Sequence, residues 1–302
     1  MVIYIITKMD NLKEGIILEE GYISVGGKNI WYCVYGKEKE GTPVLFVHGG
    51  PGFSTITDGI RELSEDRPVY FYDQLGSMRS DMADSSDTYT VGYFVGELDE
   101  VRKSLGLDKV ILMGHSWGGG LVAAYVLDRK PEGVSSLVLV SPFLSAALFE
   151  EDTRRNFDRL PEEFRKTIEA YDRDGNYGQE YQIAMVEYYK AYMCLQRPFP
   201  GVLMQAFGTM NEEVYGKLWG PSELKLVGTL RDFDLLPELG NLNLPVLIVG
   251  GDNDEVGVEG MRVCQLAIPN ARLAVIPGAA HMNYLDQPEL FRSVVGKFIR
   301  EF

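Results

Sequence analysis

Ser116 lies in Gly114-His115-Ser116-Trp117-Gly118, a G-x-S-x-G spacing between the apolar run Val110-Ile111-Leu112-Met113 and a helix-forming stretch from Leu121 to Leu127. A buried strand before and a helix after demand a turn so tight that the serine hydroxyl stands clear of the backbone, with the positive end of the helix behind it. Such a hydroxyl becomes a nucleophile when a neutral imidazole accepts its proton, and the imidazole needs a carboxylate to fix its tautomer and stabilise its cation. The chain has three histidines. His48 and His115 sit inside glycine-rich motifs, where structural or hydrogen-bonding roles are expected. His281 follows the strand-like Leu273 to Ile276 and lies downstream of an acidic loop, Gly250-Gly251-Asp252-Asn253-Asp254-Glu255. One carboxylate of that loop is expected to orient the base. A second glycine-rich segment, His48-Gly49-Gly50-Pro51-Gly52, follows the run Val44 to Val47. Its low bulk lets a backbone N–H approach a developing oxyanion, and the amides of Gly50 and Trp117 are the candidate donors.

These groups can meet at one place only if a sheet holds them. Val44-Leu45-Phe46-Val47, Val69-Tyr70-Phe71-Tyr72, Val110 to Met113, Leu137-Val138-Leu139-Val140 and Val246-Leu247-Ile248-Val249 are short continuous apolar runs, as parallel strands buried on both faces require. Ahead of them, arms near Gly15 to Val25 and Lys28 to Tyr35 meet at Gly26-Gly27 and predict a hairpin. Phe94, Leu98, Val101 and Leu105, and later Phe291, Val294, Val295, Phe298 and Ile299, recur at helical spacing. Alternation of this kind predicts a mostly parallel central sheet with helices on both faces and ligands beyond the carboxyl ends of the strands. With the order serine, acid, histidine, it is the α/β-hydrolase fold.

From about Pro142 to Leu239 no buried strand is evident, so residues 142–239 are expected to be a helical lid inserted into a core of residues 1–141 and 240–302. Tyr181, Met185, Tyr188 and Tyr192 form a helical stripe that should face the insertion's own core. Tyr188, Tyr192, Phe207 and Trp219 are candidates for an apolar pocket, with packing inside the lid the equal alternative.

Composition excludes other classes. Of 302 residues 45% are apolar and 24% charged, an ordinary globular balance, and 29 basic against 44 acidic residues give −15. That surface is not built to neutralise phosphates, so nucleic acid is not an expected partner. Cys33, Cys194 and Cys264 are odd in number and far apart, which predicts neither a disulfide framework nor a zinc site and fits the cytoplasm. The run Val2 to Ile6 is too short for a signal sequence, and no stretch approaches about 20 apolar residues, so neither export nor membrane association is expected.

His48-Gly49-Gly50-Pro51-Gly52, Tyr72-Asp73-Gln74-Leu75-Gly76-Ser77-Met78-Arg79-Ser80 and Gly114 to Gly119 together resemble the proline iminopeptidase family over nearly the whole chain. Pro221-Ser222-Glu223-Leu224 with Gly228-Thr229, and Asp252 to Val256, are most similar to its archaeal tricorn-interacting aminopeptidases. The resemblance implies removal of an N-terminal residue from short peptides, with Glu223 and Glu255 holding the α-amino group. It implies Asp254 rather than Asp252 as the triad acid beside Ser116 and His281, a bracing role for Asp73, and association with a larger protease. Two positions depart from the family: Met78 stands where glycine is usual, and no proline follows Asp254-Glu255-Val256-Gly257. The first fourteen residues have no counterpart.

A serine aminopeptidase working through an acyl-enzyme is therefore expected, on proline or other apolar N-terminal residues, with no metal or organic cofactor. The alternatives are an amino-acid amide or small-ester hydrolase of the same fold, since fold does not fix substrate, and a non-catalytic binding homologue.

Overall fold

Runs of β-branched and aromatic residues form the strands, and the central ones alternate their side chains between two packed layers. The computed structural model describes residues 18–302. The first fourteen residues and the opening of the predicted hairpin arm, 15–17, lie outside the described residues. The strands are β1 (Leu18–Val25), β2 (Lys28–Tyr35), β3 (Val44–Val47), β4 (Val69–Tyr72), β5 (Val110–His115), β6 (Val134–Val140), β7 (Val246–Gly251) and β8 (Ala271–Ile276). They form one sheet in the order β1-β2-β4-β3-β5-β6-β7-β8. The hairpin β1–β2 and the β2–β4 pair are antiparallel, and every later pair is parallel. The hairpin turns at Gly26 and Gly27, whose φ of 56° and 83° suits glycine.

The helices are α1 (Val91–Ser104), α2 (Trp117–Arg129), α3 (Ala146–Asp158), α4 (Glu162–Asp174), α5 (Gln179–Tyr192), α6 (Gly201–Gly208), α7 (Glu212–Leu218), α8 (Val258–Ala267), α9 (Asn283–Asp286) and α10 (Pro288–Ile299). Leu45, Val47, Leu112, Leu139 and Ile248 point to one face, where Phe94, Leu98, Leu121 and Met261 of α1, α2 and α8 cover them. Their neighbours Val44, Phe46, Ile111, Met113 and Val249 point to the other, beneath Phe291, Val295 and Phe298 of α10. Because both faces are covered, the central strands read as unbroken apolar runs rather than alternating ones. β8 begins two residues before the strand-like segment and is only half-buried, as an edge strand can be. This is the α/β-hydrolase architecture.

Residues 142–239 carry α3 to α7. Tyr181, Met185 and Tyr188 of α5 bury into a small separate core with Leu160 and Ile168, and Tyr192 packs partly buried against it. The two ends of the insertion meet: Ser145 and Asp234 form an antiparallel bridge, Ala146 N–H donates to Phe233 O at 2.8 Å, and Leu235 N–H to Leu144 O at 2.9 Å. No helix among the described residues is long and apolar enough to cross a membrane.

One buried charge site ties the helical layer to the loop after β4. Glu97 of α1 is 2% exposed, accepts the Leu75 N–H at 3.0 Å on Oε2, and leaves Oε1 without a partner among the described residues. Burial pushes its carboxyl up to about 8, the Leu75 hydrogen bond pulling the other way. The folded chain therefore holds this proton more tightly than the unfolded chain does, where a glutamate titrates near about 4.3. Stability is lost progressively as pH rises from the unfolded value to the folded one, and none is lost below both. Glu97→Gln keeps an oxygen for Leu75 and never ionises. Thermal unfolding should show it more stable than the parent at pH 8.5, with the gain shrinking toward pH 5; an equal shift at both pH values would mean that Glu97 carries no ionisation penalty.

Candidate active site

At the end of β5 the chain must reverse into α2 within one residue, and Ser116 absorbs the reversal with φ 54° and ψ −122°. A non-glycine residue there carries strain on the order of 1–3 kcal/mol and persists when its surroundings over-determine it. They do so here. Ser116 N–H donates to Val140 O at 2.9 Å, and Ser116 O accepts from Gly119, Gly120 and Phe143 at 2.9, 3.2 and 3.0 Å. A Cβ at Gly118 would lie 2.1 Å from Val47 O, and one at Gly114 2.1 Å from Gly118 O, so both motif glycines are required by close approach.

The glycine loop after β3 runs directly against this turn: a Cβ at Gly49 would stand 2.9 Å from Ser116 Cβ. His48 fastens the loop, its Nδ1 against Gly49 O at 2.8 Å and its Nε2 accepting Gln74 N–H at 2.9 Å. Burial holds that imidazole neutral by lowering its pKa. Gln74 bridges the two motifs, donating to His48 O and accepting from Trp117 Nε1 at 3.0 Å. Neither the Gly50 nor the Trp117 amide donates a loop or capping hydrogen bond among the described residues.

Beyond β7, Asp254 and Glu255 turn inward at 4% and 1% exposure while Asp252 and Asn253 are exposed. Asp254 Oδ1 meets His281 Nδ1 at 2.8 Å and also accepts Val256 N–H at 3.1 Å; Oδ2 accepts Gly251 N–H at 3.1 Å and Ser141 Oγ at 2.5 Å. Asp252 instead accepts the N–H groups of Gly278 and Ala279 at 2.9 and 3.3 Å, which shapes the loop that carries His281. His115 packs its ring 4.5 Å from that of His281 and places Nε2 3.2 Å from His281 O; burial, then the neighbouring His281, hold it well below the usual range and so neutral.

The insertion clasps these loops. Asn156 of α3 donates to Asp254 O at 3.2 Å, Asp152 accepts Gly257 N–H at 3.0 Å, and the backbone N–H groups of His281 and Met282 donate to Tyr192 O and Met193 O at 3.0 and 2.8 Å. It also delivers Glu223, held by Tyr215 OH at 2.9 Å and by Trp219 Nε1 on its backbone oxygen at 3.2 Å. Ser116, His281, Gly50, Glu223 and Glu255 line one cavity, with Phe53, Met193 and Phe207 on its apolar side. Of the aromatic candidates in the insertion, Phe207 reaches this cavity, whereas Tyr188 and Trp219 are buried in packing.

No lysine or arginine among the described residues lines the cavity. Burial pushes the Glu255 carboxyl well up, Glu223 and then Asp254 adding to it; burial also raises Glu223, which His281 and Tyr215 draw partly back. Among the described residues no cluster of three or more histidine, cysteine, aspartate or glutamate side chains is arranged to hold a metal ion. Asp73 is fully buried and accepts Thr55 N–H at 2.8 Å and Arg79 Nε at 2.6 Å, so it braces the loops on either side of β4. Met78, at φ 20° and 45% exposed, lines a neighbouring cavity with Trp31 and Arg79 rather than the one containing Ser116.

A hydroxyl on a strained turn, an imidazole oriented by a buried carboxylate and two free amides beside them can together perform acyl transfer. Residues 42–288 match the family model for the α/β hydrolase fold. The chain is 36% identical over 283 residues to a proline iminopeptidase of Heyndrickxia coagulans, covering 93% of this chain and 98% of the relative. The chain belongs to the proline iminopeptidase family. Thermoplasma volcanium has a proline iminopeptidase 31% identical over 288 residues, covering 94% and 97%. The crystal structure of the Mycobacterium smegmatis proline iminopeptidase superposes with a TM-score of 0.84 at 29% identity, covering 93% and 98%.

The structure adds residues to this proline iminopeptidase family site that no sequence motif marked. Ser141, fully buried and at φ 44°, holds Asp254 while Asn283 Nδ2 donates to Ser141 Oγ at 2.9 Å. A serine after a strand and an asparagine after a histidine carry no recognisable spacing. Removing the Ser141 hydroxyl leaves an oxygen of a buried carboxylate short of a donor, a loss on the order of 1–3 kcal/mol. Ser141→Ala should therefore slow labelling of Ser116 by a fluorophosphonate probe about tenfold or more, by that same measure, and lower the melting temperature by a few degrees. Labelling at the parent rate would show that Asp254 needs no support from Ser141.

Proposed function

We propose that the chain is a serine aminopeptidase that releases N-terminal residues, proline or other apolar ones, from short peptides. The observation that carries this reading is the pair of carboxylates, Glu223 and Glu255, in the same cavity as Ser116 and His281, with no lysine or arginine lining it among the described residues. An exopeptidase must recognise a terminal ammonium, and a partly dry acidic pocket binds one while a blocked or internal segment leaves the acids unpaired. The names of the family relatives agree with this substrate class.

In this mechanism Glu223 and Glu255 anchor the amine, and the first side chain rests against Phe53, Met193 and Phe207. Ser116 Oγ attacks the first carbonyl carbon as His281 Nε2 takes its proton. Asp254 stabilises the imidazolium, and the amides of Gly50 and Trp117 donate to the oxyanion. The C–N bond then breaks as His281 returns the proton to the leaving amine, giving an ester to Ser116. Water, deprotonated by the same imidazole, hydrolyses the ester and frees the amino acid.

A panel of proline, leucine, phenylalanine and alanine coumarin amides, each with a free and an acetylated amine, tests the proposal. Cleavage of the free-amine forms is expected, reduced by about 10⁴-fold or more in Ser116→Ala. Glu223→Gln and Glu255→Gln should each lower kcat/KM by about tenfold to a hundredfold, the worth of a charge-assisted hydrogen bond. Equal cleavage of acetylated forms, or turnover of simple esters alone, would replace the aminopeptidase with an amidase or esterase.

A further inference from the structure

The imidazole of His281 is approached by carboxylates on both sides. Asp254 lies on Nδ1 at 2.8 Å, and Glu255 Oε1 stands 3.4 Å from Nε2. Glu255 is 1% exposed, and its Oε2 has no hydrogen-bond partner among the described residues. Among the described residues the titratable groups around it are Glu223, Asp254 and His281 with the hydroxyls of Tyr188, Tyr189 and Tyr215, and of these His281 can carry positive charge. When Nδ1–H is given to Asp254, a neutral imidazole presents a lone pair at Nε2, and an ionised carboxylate presents lone pairs too. Two acceptors facing each other in a dry site are costly unless a proton lies between them. The same Nε2 must serve Ser116, yet no hydrogen bond joins it to Ser116 Oγ among the described residues.

We infer that in the free enzyme a proton is held between Glu255 and His281, and that the substrate's terminal ammonium takes its place. The amine then switches on the base as well as anchoring the peptide. This inference rests on the amine-binding role proposed above for Glu223 and Glu255. The proton balance is as follows: a peptide arriving as the ammonium pairs with the Glu255 carboxylate, the held proton passes to solvent, and Nε2 is freed to accept the Ser116 proton. A peptide arriving as the free amine takes the held proton itself, and none is released. A terminal amine ordinarily titrates at about 7.7–8.0, so at pH 6.5 the first route dominates. An acetylated peptide does neither, so blocking the amine costs turnover of the bound substrate in addition to binding.

Titration calorimetry separates the two readings. Ser116→Ala, which holds a peptide without consuming it, is titrated at pH 6.5 with a free and an acetylated apolar tripeptide in two buffers of different ionisation enthalpy. The inference expects the free peptide to release about one proton on binding, by linkage, and release to vanish when Glu255→Gln is added. Preferential binding of the free peptide with no proton released would overturn the switch while leaving amine recognition standing. Equal binding of both peptides would overturn amine recognition, and the switch with it. A second measurement needs no variant: p-nitrophenyl acetate supplies an acyl group without an amine, and methylammonium supplies the amine separately. Severalfold acceleration by methylammonium over sodium at equal ionic strength is expected; an unchanged rate overturns the switch.

Discussion

The site depends on a backbone contact too close for any side chain. Gly118, in the first turn of α2, approaches Val47 O at the end of β3 so nearly that a methyl group would fall within 2.1 Å of it. That approach holds the helix N-terminus against the sheet, fixes the strained conformation of Ser116, and brings the glycine loop of His48 to Gly52 alongside. The orientation of the serine and of the Gly50 and Trp117 amides is then a property of the backbone, stabilised by the packing of two apolar layers on a parallel sheet. Side chains refine this arrangement. Gln74, bonded to both His48 and Trp117, reports the same distance in hydrogen bonds.

Around that contact the site is assembled from four loops at the carboxyl ends of strands β3, β5, β7 and β8 and one arm of the insertion. The insertion does more than cover the cavity. Its Asn156, Asp152 and the backbone of Tyr192 and Met193 bind the acid loop and the histidine loop, so the position of the imidazole depends on helices remote from the sheet in sequence. Glu223 arrives by the same arm, supported by Tyr215 and Trp219.

Much of this was legible in the sequence for physical reasons. Strands covered on both faces must be continuous apolar runs, and G-x-S-x-G between such a run and a helix has few other structural solutions. Ser116, His281 and the acidic loop could thus be picked out by residue type and order. The choice between Asp252 and Asp254 could not, because alternate residues of one loop differ only in which way the backbone turns them; resemblance chose Asp254, and the structure places it on His281 with Asp252 outside. Glu223 was visible by resemblance alone. Ser141 and Asn283 were invisible, since a hydroxyl or amide that bonds across more than a hundred residues of chain leaves no local pattern. The edge strand β8 was legible in type but not in extent, as partial burial weakens the apolar signal at its start.

The bridge between Ser145 and Asp234 has an architectural consequence. Where an excursion leaves and rejoins a sheet at a single neck, its content can be exchanged, like a tool head on a common handle, without changing the order of the strands. Here the head also grips the working parts through backbone carbonyls of Tyr192 and Met193. Transplanting the helices onto a related core would therefore transmit their own placement to His281 whatever their side chains, so that a new specificity and a new base position come as one inheritance.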